Sequence, residues 1–118
     1  MSQGARLKTY TEFWAFYLGE HRRAGTRALH FLGTSLGLGF STAAVVAWDW
    51  RLLSAALAAG YGFAWLGHAV IEKNRPATFR YPLWSFLSDF RMLGFWLTGR
   101  LSEELARDGI TREEPPRD

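Results

Sequence analysis

Two uncharged runs dominate the alternation of apolar and polar positions along the chain. The first is "ALHFLGTSLGLGFSTAAVVAW", Ala28 to Trp48, and the second is "LLSAALAAGYGFAWLGHAVI", Leu52 to Ile71. Each holds about 20 residues, or about 30 Å as a helix, which is the thickness of a bilayer's hydrocarbon core. Only "DWR", Asp49 to Arg51, separates them, and so short a link predicts a tight antiparallel hairpin. Trp48 and Trp50 sit at that turn, where interfacial tryptophans are expected. A soluble bundle would need polar faces on its exposed helices, whereas the polar residues here are Ser, Thr, His and the aromatic tips. Gly33, Gly37 and Ser41 recur at every fourth residue, as do Ala56, Gly60 and Ala64. Small residues so spaced let helix backbones approach closely in lipid.

Weaker periodicities flank the hairpin. "TYTEFWAFYLGEH", Thr9 to His21, carries an aromatic stripe of Phe13, Trp14, Phe16 and Tyr17. It predicts an amphipathic helix lying against a membrane, with Thr11 as its N-cap. Downstream, Pro76 and Pro82 bracket a loop, and a further helix is predicted from about Leu83 to Arg100. Asp89 and Arg91 fall in its middle, so it is expected at the interface or packed on the hairpin rather than across lipid. The fold class is therefore all-α: a membrane helical hairpin with flanking amphipathic helices, about four helices in all. The expected organisation is one membrane-embedded domain over residues 1–118, ordered from about 8 to 102, with a loose charged tail over 103–118.

Composition narrows the function classes. A chain of 118 residues has room for one core. It contains no cysteine, which excludes disulfides and thiolate metal sites. The formal charge of +3 is modest, and the cations flank the apolar runs instead of forming a stripe, so a membrane surface is the expected partner and nucleic acid is not. The first 27 residues carry charges throughout and no apolar h-region, so no cleavable signal is expected. Arg22, Arg23 and Arg27 precede the first run and Lys73, Arg75 and Arg80 follow the second, against Arg51 in the turn. That bias predicts an integral membrane protein whose outer flanks face the cytoplasm.

The chain has three histidines, His21, His30 and His68. An antiparallel hairpin brings the start of the first run, with His30, beside the end of the second, with His68, and His21 lies just before them. Glu72 shares a helical face with His68 at i,i+4. Three imidazoles and a carboxylate at one depth suit Fe(II) or Zn(II), and histidines within apolar spans are functional candidates because burying them is costly. The competing reading is a non-catalytic lipid-binding or assembly module in which the His–Glu pair is structural. The HxxxH and HxxHH clusters of membrane desaturases are absent, so a mononuclear site is the economical form.

"FWAFYLGEH", "RALHFLGTSLG" and "WLGHAVIEKNRPATFRYPLWSFLSDFRM" together resemble a small membrane family of 2-hydroxy fatty acid dioxygenases, whose characterised yeast member acts in phytosphingosine breakdown. The likeness runs from about Phe13 to Met92, and Thr26 stands where that family commonly has asparagine. The resemblance implies an Fe(II)-dependent oxygenase that uses molecular oxygen to shorten a 2-hydroxy fatty acid by one carbon, with His21, His30 and His68 as its catalytic metal ligands. On that reading Glu72 is a further candidate ligand, and Arg27 or Arg75 pairs with the substrate carboxylate. Phe31, Tyr61 and Trp65 line the acyl tail, and Asn74 and Asp89 orient ligand histidines. The site would lie toward the cytoplasmic side of an inner membrane in a bacterium or of the endoplasmic reticulum in a eukaryote, with oligomerisation left open.

Overall fold

The computed structural model describes residues 6–110 and is all-helical among them. The elements are α1 (Tyr10–Gly19), α2 (Ala24–Ala47), α3 (Arg51–Leu66), α4 (Pro82–Leu97) and α5 (Leu101–Arg107). α3 continues without a break into a π-helical turn, Gly67–Glu72, and a short 3-10 turn, Ala77–Phe79, leads into α4.

The hairpin of α2 and α3 forms as the apolar runs predict. α2 ends on Trp48 in the left-handed conformation, φ 56°. The Asp49 carboxylate then closes the turn by accepting from Arg51 Nε at 2.9 Å and Nη2 at 3.0 Å. The small-residue spacing also serves its predicted purpose. A Cβ added at Gly33 would lie 2.9 Å from the Ala59 carbonyl oxygen, and one at Gly37 3.4 Å from that of Ala56. The backbones thus meet with no side chain between them. Two helical stretches, Ala24–Ala47 and Arg51–Glu72, are long and apolar enough to cross a membrane. Only 28% and 22% of their most apolar windows are buried within the protein, far less than a soluble core helix would be. Val46, Leu57 and Trp48 are among the large apolar side chains left outward.

α1 departs from expectation in two respects. Its N-cap is Thr9, not Thr11: Thr9 Oγ1 accepts from Glu12 N–H at 3.1 Å, and Glu12 Oε1 accepts from Thr9 N–H at 3.3 Å. This reciprocal capping box satisfies two otherwise orphaned donors. The aromatic stripe also turns inward. Phe13 and Tyr17 are fully buried, and Phe13 packs on Tyr81 at 5.2 Å between ring centroids. The stripe covers α4 and α5, where Met92, Leu93, Leu101 and Leu105 complete the core.

α4 keeps its charges on the protein side. The Asp89 carboxylate accepts from Tyr17 Oη, and the Arg91 guanidinium lies 4.3 Å over the Trp14 ring. Leu83, Phe86, Leu87 and Phe90 form the opposite, exposed face. The segment beyond 102, expected to be loose, instead supplies most of α5. Leu101 and Leu105 enter the core, and Glu104 Oε1 accepts from Trp14 Nε1–H at 3.0 Å. The remainder of that tail, 111–118, lies outside the described residues.

Candidate metal centre

Each histidine arrives on a different piece of chain. His21 follows the end of α1, His30 sits in the second turn of α2, and His68 lies in the π-helical turn closing α3. Turns of that kind are rare, and they are frequent at functional sites. All three side chains are buried, at 1%, 5% and 1% exposure. Their Nε2 atoms form a triangle: 3.0 Å from His21 to His30, 3.2 Å from His30 to His68 and 3.1 Å from His68 to His21.

The opposite nitrogens decide what that triangle is. His21 Nδ1 lies 2.7 Å from the Tyr17 carbonyl oxygen, which can only accept, so Nδ1 carries the proton. Asn74 Nδ2 donates to the Glu20 carbonyl at 3.1 Å and to Glu20 Oε1 at 3.2 Å. Its Oδ1 therefore faces His68 Nδ1 at 2.6 Å, and there too the proton sits on Nδ1. His30 Nδ1 is 3.3 Å from Asp89 Oδ1, in ion-pair range but outside hydrogen-bond alignment. No hydrogen bond fixes the His30 tautomer. The Nε2 lone pairs of His21 and His68 are left facing one another and His30 Nε2.

Lone pairs so placed favour a cation at their focus. An added proton is disfavoured there, because burial, and then the neighbouring His30 and His68, hold the His21 pKa well below its ordinary value. A divalent metal suits the donors better. Bonds of about 2.0–2.1 Å from metal to imidazole nitrogen set roughly at right angles span an N···N separation close to the one observed. His21, His30 and His68 together form a group able to hold a metal ion. Burial also raises the Asp89 pKa, an effect opposed by the hydrogen bond from Tyr17.

The other expected site residues divide. Tyr61, Trp65 and Asp89 line the pocket around the histidines, and Asn74 orients His68. Glu72 does not join the triangle: its Oε2 accepts from the Arg23 backbone N–H at the start of α2. The α-helical i,i+4 relation on which that expectation stood does not hold through a π-helical turn. Arg27 does not enter the pocket either. Its Nη1 donates to the carbonyls of His21 at 2.8 Å and Arg22 at 2.7 Å, bracing the loop that carries His21. Phe31 stacks on Trp96 at 4.8 Å, across α2 from the pocket, and Arg75 lies over the Phe79 ring at 5.6 Å. Tyr17 and Ser85 were not anticipated. Their spacing is the available signal, since each precedes a candidate, His21 or Asp89, by one helical turn.

A sequence model of the family described as "2-hydroxy-palmitic acid dioxygenase Mpo1-like" matches residues 7–101. The chain belongs to this family. The Mpo1-like match takes in α1 to α4 and with them all three histidines and Asp89. No curated protein and no solved structure matches the chain.

Proposed function

We propose that this chain is a membrane-embedded, Fe(II)-dependent dioxygenase that shortens 2-hydroxy fatty acids by one carbon. The observation that carries the reading is the buried triangle of three imidazole Nε2 atoms in a chain of the Mpo1-like family. His21, His30 and His68 would hold the iron through Nε2. Bound iron supplies redox chemistry with dioxygen and open positions for a chelating substrate. The Tyr17 carbonyl and Asn74 fix the His21 and His68 rings in the tautomer that a metal requires, and the Asp89 carboxylate faces the outer nitrogen of His30. Tyr61 and Trp65 give the substrate an apolar wall, and Arg75 supplies a cation at headgroup level for its carboxylate. Arg27 acts indirectly, by holding the His21 loop.

One dioxygen per acid balances the reaction. The bond between the carboxyl carbon and the second carbon breaks, and the second carbon becomes the new carboxyl. Carbon dioxide and water leave, so no outside reductant is consumed.

Gently purified protein should contain one iron per chain by elemental analysis and consume oxygen with 2-hydroxypalmitate. Chelation should abolish both, and Fe(II) should restore them. Protein that folds, carries no transition metal and gains none when Fe(II) is added would support the non-catalytic module instead.

The cation bias supports a topology with both outer flanks in the cytoplasm. Cysteines placed at Arg23, Lys73 and Arg100 should react with an impermeant thiol reagent from the cytoplasmic side, and one at Trp50 only from the opposite side. Cytoplasmic labelling at position 50 would reject the arrangement.

A further inference from the structure

We propose that the acyl chain of the substrate lies in a groove adjoining the histidine pocket, and that successive turns of α2 along this groove set the chain length accepted. The inference rests on the dioxygenase reading above and extends it to specificity. The histidine pocket itself has a volume of only about 20 Å³, little more than one water needs. It has no room for a long tail. A second hollow, of about 120 Å³, lies between the hairpin and α4. Tyr61 and Asp89 line both, so these two residues form the wall between the spaces.

The chemistry changes along this path as an amphiphile would require. At the pocket end, Ser85 is 5% exposed and its Oγ has no hydrogen-bond partner among the described residues. A buried hydroxyl is costly to leave unpaired, and this one lies among the histidines and Asp89, where a carboxylate or 2-hydroxyl would accept from it. Beyond Tyr61 the lining becomes small and apolar: Gly33, Gly37, Ala56 and Gly60 form the floor, and Phe86 and Phe90 the rim. Both phenylalanines belong to the exposed face of α4, so the groove opens sideways toward the lipid, from which a fatty acid would enter. Thr34 and Ser41 lie on the same lining. They follow His30 by one and about three helical turns, or about 6 and 16 Å along α2.

Bulk at these two positions should therefore cut the tail at two different lengths. With iron-loaded enzyme and 2-hydroxy acids from 2-hydroxyoctanoate to 2-hydroxystearate, Ser41→Phe should lose at least roughly tenfold in kcat/KM on the longest acids and keep the shortest within about twofold. Thr34→Phe should move the cutoff to shorter acids than Ser41→Phe does. Ser85→Ala should raise KM roughly tenfold at every length without moving the cutoff. A photoreactive group at the tail end of bound 2-hydroxypalmitate should label the lining near Ser41, whether or not turnover occurs. Should either phenylalanine variant lose iron, the smaller pair Thr34→Leu and Ser41→Leu decides. An active wild type with unchanged or reversed cutoffs, or labelling on α1 or α5, would overturn the groove assignment alone. A wild type that neither turns over nor binds any 2-hydroxy acid would overturn the dioxygenase reading with it.

Discussion

His68→Ala and His30→Ala should each lose essentially all bound iron and at least 100-fold in activity (about 3 kcal/mol of transition-state stabilisation or more), while the protein stays folded and inserted. The cause is geometric. Each ring contributes one of three Nε2 atoms held 3.0–3.2 Å apart, and two remaining imidazoles cannot enclose a cation. His21→Ala should act alike, because its ring is as deeply buried. Residues that only orient the rings should show a graded loss. Asn74→Ala and Asp89→Ala should weaken iron retention about 10- to 100-fold. Glu72→Gln should keep its iron, since the amide oxygen can still accept from Arg23 N–H. Iron content by elemental analysis, alongside oxygen consumption, separates the three classes. Full iron retention after loss of both His30 and His68 would remove the metal centre from consideration.

The second large effect is expected at Gly33. Even a methyl group there would meet the Ala59 and Gly60 carbonyl oxygens at 2.9 and 3.1 Å. Both are backbone atoms of α3 and cannot rotate away as a side chain would. Gly33→Leu should force the helices apart, destabilising the protein by about 1–3 kcal/mol or more and spreading the His30–His68 edge. The expected signature is a lowered Tm in detergent together with weakened iron binding. Gly39→Leu is the matched control, because a Cβ there meets nothing within 4 Å among the described residues. Equal thermal stability of the two variants would show that the helices do not pack through Gly33.

Which parts of this arrangement were legible in the sequence follows from how local the governing interactions are. The hairpin could be read because each apolar run is long, continuous and separated by three residues. Its antiparallel closure then placed His30 and His68 at the same end without further information. The inward turn of the α1 stripe could not be read. Phe13, Trp14 and Tyr17 satisfy their periodicity equally against lipid or against α4, and the choice depends on partners such as Tyr81 far along the chain. α5 was missed for the same reason, since Glu104 is stabilised by Trp14, ninety positions away. The Glu72 expectation failed on a backbone detail, the π-helical turn, that residue spacing does not announce. Arg27 carries the same charge whether it meets a substrate or a carbonyl, and only the path of the His21 loop decided between them.

On the proposed function, the distribution of the three histidines over the chain ties metal binding to a tertiary contact. His30 and His68 belong to a hairpin able to enter the bilayer as one unit, whereas His21 is delivered by the separate segment that contains α1. An inserted hairpin alone offers a metal two nitrogens and a weak grip. Tight capture would need α1 docked on α4, with Tyr17 and His21 in register. An ion held by all three rings would act as a clasp between the N-terminal helix and the open end of the hairpin, so its binding would report on that tertiary contact.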